Sequence, residues 1–152
     1  MNGIRWGRVL LAGLAAGLVL FAAEAVINGA VLGGEWHRVT QAFGVGVEHT
    51  AGGFLTFVAI SLVKGVALVA SYAVAREVLG AGARTAAVVG MVIWLVSSAL
   101  PWATLAPMGL PRRLVLLAPL LAVLGTVAAA LAGAWAYDRG GVAHAGRVRA
   151  SA

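Results

Sequence analysis

Ionisable side chains stand inside long apolar segments at two places in this sequence. Glu24 lies within the apolar residues 9–32, and Lys64 lies near the middle of the apolar residues 54–75. Charged groups at membrane depth are rare, and they usually face a partner or a water-filled cavity. An acid and a base in these positions could form an ion pair, or could carry a proton or a charged solute.

Position along the two segments predicts that Glu24 and Lys64 meet. At about 1.5 Å of rise per helical residue, Glu24 lies about 12 Å from the end of its segment, and Lys64 lies about 15 Å from the adjoining end of the next. Antiparallel neighbouring helices would therefore bring the two groups to nearly the same level. We expect an ion pair within an intramembrane polar layer that also holds the amide and hydroxyl side chains of Asn28, Ser61, Ser97 and Ser98.

Three interpretations of this layer are open from sequence alone. The pair could neutralise two charges and fix the register of the helices, as polar groups do in membranes. It could instead form part of a pathway for protons or for a solute. The two groups could also stay apart, with Lys64 extending its amine to the interface or Glu24 remaining protonated.

A second group of candidate residues falls in the polar segment 33–53. Carboxylates and imidazoles ligate zinc, so this group is a weak candidate for a metal site. The two histidines are 12 positions apart, however, and match no ligand motif, so we predict neither a metal nor a cofactor. The residues concerned are Glu35, His37, Glu48 and His49.

Other chemistry is disfavoured by what the sequence lacks. It has no cysteine, which excludes disulfides, thiolate zinc sites and iron–sulfur clusters. It matches neither a nucleophile elbow nor a P-loop, a zinc-protease motif or a dinucleotide fingerprint, so we predict that it is not an enzyme. Its net charge of +6 comes from basic residues that flank apolar segments, which is typical of membrane orientation signals and not of nucleic-acid binding.

The elements that would hold these residues follow from composition. The chain is 62% hydrophobic and only 11% charged, too little charge to cover a water-facing surface, so its main partner is the lipid bilayer. Four segments reach the length of about 20 apolar residues that a spanning helix needs, at residues 9–32, 54–75, 85–106 and 114–137. This predicts an all-α membrane protein with a four-transmembrane-helix bundle in residues 1–137, followed by a basic, disordered tail in residues 138–152.

Arginine and lysine predict the orientation, because cytoplasmic loops carry an excess of them. Seven arginines flank the spans on the side of the two termini, and three lie on the other side. We therefore expect a multi-pass protein of the cell inner membrane with both termini in the cytoplasm. Within the outer loop, Trp36, Val39 and Phe43 are spaced as on one face of a helix, which predicts a short interfacial helix; an irregular connection is the alternative.

Small residues predict how the spans associate, since helices in lipid attract each other by close backbone approach. The first span contains two GxxxG spacings, and the fourth carries a stripe of alanine and glycine, so these two faces are candidates for mutual contact. The same stripes could instead mediate a homo-oligomer or contact with another membrane protein. The glycines predicted to pack are Gly13, Gly17, Gly29, Gly33, Gly125 and Gly133.

Two parts of the chain carry a resemblance to known proteins. The first part, in the first span, is Leu10-Leu11-Ala12-Gly13-Leu14-Ala15-Ala16-Gly17-Leu18-Val19, followed by Glu24, Asn28-Gly29 and Val31-Leu32-Gly33. The second part, in the third span, is Thr85-Ala86-Ala87-Val88-Val89-Gly90 with Trp94 and Pro101. Through residue 137 the chain resembles a group of small bacterial four-span membrane proteins of unknown function. The resemblance implies a fold and a location but no activity. From the residues themselves we expect a structural or accessory membrane protein acting by helix–helix association, with a small transporter or proton-linked permeation protein as the alternative.

Overall fold

The computed structural model describes residues 4–44 and 51–150, with side chains described for residues 4–44 and 51–139. All regular secondary structure within these ranges is helical. In chain order the elements are α1 Trp6–Ala25, continued by a π-helical segment Val26–Val31, then α2 Gly33–Ala42, α3 Ala51–Leu79, α4 Ala83–Trp94, continued by a second π-helical segment Leu95–Ala99, α5 Leu100–Leu105, a 3-10 turn Ala106–Met108, and α6 Arg112–Ala150.

Four helical stretches of 26 to 29 residues are long and apolar enough to cross a membrane. Three of them contain a predicted segment whole, and the first covers its segment except for Leu32. In order, these first to fourth spans are Trp6–Val31, Ala51–Leu79, Ala83–Met108 and Arg112–Arg139. Large apolar side chains cover their outer surfaces, and this suits lipid as the surrounding solvent. The protein is therefore an all-α, multi-pass membrane protein with a four-helix transmembrane bundle.

Glycines bring the first and second spans into backbone contact. A Cβ atom added at Gly13 would lie 2.6 Å from the Cα of Val66, and one added at Gly17 would lie 2.6 Å from the Cα of Leu62. From the other side, a Cβ at Gly65 would overlap the backbone of both α1 glycines. Any side chain at these three positions would force the helices apart, so the first GxxxG spacing is a helix–helix contact, as predicted.

The fourth span packs its small residues against the first, which was also predicted. A Cβ at Gly133 would lie 2.9 Å from the Cβ of Ala16, and a Cβ at Gly125 would lie 2.9 Å from the Cβ of Ala23. The face of α1 that meets α6 is thus an alanine face. The glycine face of α1 turns to α3, so the prediction that the GxxxG spacings of the first span meet the small-residue stripe of the fourth is wrong.

Gly29 and Gly33 do not pack as predicted. Gly29 is exposed, and a Cβ added there would have no neighbouring atom within 4 Å; at Gly33 the nearest atom is the backbone oxygen of Asn28, only five positions earlier. The physical reason is local: Gly29 falls in the π-helical segment and Gly33 begins α2, so the second GxxxG spacing does not lie on one α-helical face.

The short helix predicted in this loop is present as α2, which ends at Ala42, one residue before Phe43. It is tied to the bundle by Leu32, which is buried with Leu114 and Ala118 of the fourth span. Trp36 and Trp102 pack against the same cluster, with their ring centroids 6.1 Å apart. This arrangement puts α2 beside the end of the bundle that is opposite to the chain termini.

The main apolar core occupies the other half of the bundle, towards the termini. It begins with Leu20 and Leu68, each one helical turn from Glu24 or Lys64, and both are fully buried. It ends at Tyr72 and Tyr137, whose rings meet edge to face with centroids 6.3 Å apart.

After residue 137, where the fourth predicted span ends, the observed backbone differs from the prediction. The sequence predicted a disordered tail from residue 138, whereas α6 continues to Ala150. The preceding span supplies a helix already nucleated, and alanine and arginine favour its extension, whereas the three glycines in this stretch oppose it.

Candidate functional site

The predicted ion pair joins the first and second spans. Lys64 Nζ lies 2.8 Å from Glu24 Oε1. The expected ion pair is therefore present, and the third interpretation, in which the two groups stay apart, does not describe the structure. About 21% of the Lys64 side chain and 15% of the Glu24 side chain are exposed, so the pair lies within the bundle without being sealed in it.

The second carboxylate oxygen of Glu24 has its own partner. Ser61, which is fully buried, donates its hydroxyl hydrogen bond towards Glu24 Oε2 at 3.1 Å and lies equally close to the Phe57 carbonyl, at 3.0 Å. Ser61 sits one turn from Lys64 on α3, so one face of that helix offers both a cation and a hydroxyl to the same carboxylate.

Asn28 joins the layer in a different way from that predicted. Its side-chain amide donates to the backbone oxygen of Glu24 at 2.9 Å, and its Oδ1 accepts a hydrogen bond from Trp36 Nε1 at 3.1 Å. It does not contact the carboxylate. It connects the backbone beside Glu24 to α2, so the position of α2 is linked to the geometry of the ion pair.

Ser97 and Ser98 lie across a cavity from the ion pair. No hydrogen bond joins either serine to Glu24 or Lys64 among the described residues, and Ser97 Oγ is buried without any partner there. The cavity has a volume of about 430 Å³. All four spans and α2 line it, through Glu24, Ile27, Asn28, Trp36, Phe57, Ile60, Lys64, Ser97, Ser98, Trp102, Ala118 and Ala122.

Irregular backbone in three spans surrounds this cavity. The first and third spans each change from α- to π-helix beside it, at Val26–Val31 and Leu95–Ala99. The fourth contains Pro119 within α6, and Trp94 Nε1 donates to the Pro119 carbonyl at 2.7 Å. A π-helical turn and a proline both displace a helix from regular packing, and π-helical turns occur often at functional sites.

The candidate metal ligands do not converge. Glu35 is buried and accepts hydrogen bonds from Arg38 at 3.3 Å and from Arg113 at 3.5 Å, whereas His37 is exposed and pairs with Gln41 at 3.0 Å. Residues two apart on a helix point in nearly opposite directions, which explains the separation of Glu35 from His37. The described ranges contain no group of three possible metal ligands, and Glu48 and His49 lie outside them.

Sequence reasoning missed a polar cluster at the end of the bundle that carries the termini. Asp138 forms an ion pair with Arg76 and accepts a hydrogen bond from the buried Tyr72 hydroxyl at 2.6 Å. The same hydroxyl accepts from the backbone N–H of Gly82, at 3.0 Å, in the turn between the second and third spans. The four-residue spacing of Tyr72 and Arg76 indicated a shared helical face, but Asp138 had been assigned to the tail.

Comparison of the chain with protein-family models, with curated proteins and with solved structures finds no match. The site must therefore be interpreted from its own geometry. That geometry combines a fixed acid–base pair, a mostly apolar cavity with polar residues on the side of the pair, and irregular helices around the cavity.

Proposed function

We propose that this protein is a small permeation protein that binds a small anionic solute together with a proton in the cavity beside Glu24 and Lys64. The observation that carries the proposal is that the ion pair lines a cavity of about 430 Å³ and is partly exposed within it. Ionisable residues that line a cavity at membrane depth commonly mark a pathway for an ion or a substrate.

Charge balance explains why a proton and an anion would bind together. A single uncompensated charge at the bilayer centre costs about 2.5–3.5 kcal/mol on translocon scales. An anion that takes Glu24's place at the Lys64 ammonium would leave the Glu24 carboxylate unpaired. Protonation of that carboxylate removes the cost, and the site then holds one cation and one bound anion. Ser61 would still hydrogen-bond to the protonated acid.

The cavity walls suit a solute with one charged end. Its polar side carries Asn28, Ser97 and Ser98 beside the ion pair, and its other side is largely aromatic and aliphatic. The unpartnered Ser97 hydroxyl offers a further hydrogen bond to a bound molecule. Small-molecule sites commonly combine an apolar wall with a few convergent polar groups in this way.

We further propose a location in a bacterial inner membrane, with both termini in the cytoplasm and α2 at the outer surface. Arginine asymmetry supports this orientation. In it, the cavity lies in the outer half of the bundle, and the apolar core that begins at Leu20 and Leu68 separates it from the cytoplasm.

Water access to the cavity can be tested by cysteine labelling, because the native chain has no cysteine. Ser98→Cys places a thiol in the cavity wall, and Thr126→Cys places one in a buried position outside it. In sealed vesicles, a charged methanethiosulfonate reagent should modify Ser98→Cys and leave Thr126→Cys unmodified. Absence of reaction at both positions would mean that the cavity is dry.

Transport itself can be tested in proteoliposomes containing a pH-sensitive dye. An inward gradient of lactate or succinate should acidify vesicles that contain the wild-type protein faster than protein-free vesicles. Glu24→Gln should abolish this difference, while Glu77→Gln, which removes an exposed carboxylate at the other end of the bundle, should preserve it. Wild-type vesicles that behave like empty ones for both anions would contradict the proposal for these solutes.

A structural or accessory role is the second candidate, and one observation favours it. Both oxygens of Glu24 already have partners within the protein, Lys64 and Ser61, as in a purely structural contact. Under this role, the wild-type protein would show no solute flux, and Glu24→Gln would only lower the stability of the bundle. Association with a partner would use the outer surface, because the glycines at positions 13, 17, 125 and 133 pack inside the bundle.

A further inference from the structure

A second cavity lies at the end of the bundle that carries the termini, and we infer that it binds a phosphate group. Its volume is about 510 Å³. The lining comes from the start of the first span and from the ends of the second and fourth, and comprises Ile4, Arg5, Arg8, Ala73, Arg76, Glu77 and Tyr137. This site is remote from the Glu24–Lys64 layer and does not depend on the function proposed for it.

Arg8 is a fixed cation in this cavity. One of its terminal nitrogens donates to the backbone oxygen of Tyr137 and lies 3.5 Å from that of Asp138. Its guanidinium carbon lies 5.0 Å from the centre of the Tyr137 ring. Among the described residues Arg8 has no carboxylate partner, and its Nε atom is buried without a hydrogen-bond partner.

Arg76 approaches the same aromatic ring, with its guanidinium carbon 5.5 Å from the centre. It forms an ion pair with Asp138, and the Tyr72 hydroxyl donates a hydrogen bond to the same carboxylate. Two guanidinium groups are therefore held near one ring, and of the two only Arg76 contacts a carboxylate among the described residues. The network fixes both groups before any ligand arrives, which lowers the entropy cost of binding.

The net charge of the side chains that line the cavity is positive, even after the ion pair with Asp138 is counted. Three arginines and one glutamate line it, giving +3 − 1 = +2, and the contact of Asp138 with Arg76 reduces this to +1. Glu77 is exposed and belongs to the lining, so an anion must bind towards Arg5 and Arg8 and away from that carboxylate.

A phosphate group fits this arrangement chemically. Guanidinium groups present planar sets of N–H donors that match phosphate oxygens, and basic pockets between spanning helices at the membrane surface bind lipid headgroups. The apolar lining residues Ile4 and Ala73 would contact the less polar part of a phosphate ester. The phosphate could belong to an anionic phospholipid or to a soluble phosphate compound.

The test compares these sources on the purified full-length protein in a neutral detergent. Phosphatidylglycerol is the lipid probe, and diacylglycerol, which has the same chains without phosphate, is its control. Inorganic phosphate and glycerol 3-phosphate are the soluble probes. Lipid binding is measured by native mass spectrometry and soluble binding by calorimetry, each with the thermal unfolding temperature as a second readout.

Three variants, each of which removes one positive charge, locate the site. Arg8→Gln should weaken phosphate binding at least tenfold, and Arg5→Gln should weaken it several-fold. Arg5 is exposed with no side-chain hydrogen bond among the described contacts, so that variant keeps the test valid if Arg8→Gln fails to fold. Arg84→Gln, an exposed position at the same end but outside this cavity, should change binding less than twofold.

Arginine-dependent binding of phosphatidylglycerol alone would identify a lipid headgroup as the ligand, and arginine-dependent binding of the soluble probes would identify a free phosphate compound. The inference is overturned if none of the phosphate probes binds, or if diacylglycerol binds as tightly as phosphatidylglycerol. It is equally overturned if Arg84→Gln weakens binding as much as Arg8→Gln, because the effect would then come from surface charge in general.

Discussion

Removing one member of the Glu24–Lys64 pair should destabilise the bundle more than removing both. Glu24→Gln leaves the Lys64 ammonium facing an amide, and Lys64→Met leaves the carboxylate with only the Ser61 hydroxyl. The double variant contains no charge in the layer. We therefore expect the double variant to lose less free energy of unfolding than the sum of the losses in the two single variants.

The magnitude follows from the burial of the pair. Removing one partner of a fully buried pair costs about 3–5 kcal/mol, and a lone charge at the bilayer centre costs about 2.5–3.5 kcal/mol on translocon scales. Because 21% of the Lys64 side chain and 15% of the Glu24 side chain are exposed, the cost should lie below that of a fully buried pair. We expect each single variant to lose about 2.5 kcal/mol and the coupling energy to be about 3 kcal/mol, which leaves the double variant with a loss of about 2 kcal/mol.

Reversible unfolding in mixed micelles, driven by dodecyl sulfate and followed by circular dichroism, measures these free energies. A control cycle combines Lys64→Met with Glu77→Gln. These residues are 13 positions apart on α3, about 20 Å by helical rise, so their effects should add within about 0.3–0.5 kcal/mol. If the Glu24–Lys64 cycle is as additive as this control, the pair contributes no interaction energy and our account of the layer is wrong.

Two further predictions concern packing and orientation. Gly17→Leu should lower the free energy of unfolding by more than about 3 kcal/mol, because its side chain would overlap the α3 backbone; Gly29→Leu, at an open position, should change it little, and equal losses on thermal unfolding would contradict the assigned contact. In intact cells, Ala42→Cys should react with an impermeant thiol reagent from outside, whereas Ala81→Cys should react only after the membrane is opened. The reverse pattern would invert the proposed topology.

Much of the fold was predictable because the membrane imposes simple rules on a chain. Backbone groups in lipid must be satisfied within the segment, so 20 apolar residues in succession predict a helix, and four such segments predict a bundle. The contact between Glu24 and Lys64 was predictable for a related reason. Helical rise is constant, so counting residues from the ends of adjacent spans gives depth.

The lateral positions of the side chains in the polar layer were less predictable, because they depend on which faces of the helices meet. Counting residues placed Asn28 and the two serines in the layer, but could not tell that Asn28 bonds to backbone and to Trp36, or that a cavity separates the serines from the ion pair. The reason is the pair of π-helical segments, which change the angle between successive side chains. No residue pattern in those segments distinguishes them from α-helix.

The cluster around Asp138 shows a different limit of the sequence. Apolar composition ends at Tyr137, so a polar residue that follows it was assigned to the tail. Asp138 instead contacts Tyr72 and Arg76, which are more than 60 positions earlier in the chain. Such a contact depends on how the fourth span lies across the second, and a single sequence contains no direct record of that arrangement.

The two halves of the bundle differ in how they could move, and this bears on the proposed permeation. Towards the termini, Gly13, Gly17 and Gly65 hold two spans in backbone contact, and α1 and α3 cannot slide there without separating. Towards α2, the π-helical segments and Pro119 leave space between the spans. A solute that crosses the membrane would have to open the tight half, whereas rearrangement in the loose half needs only small shifts. In the proposed permeation the glycine contact would therefore be the barrier, and a change in the protonation or partner of the neighbouring ion pair would act on the same two helices.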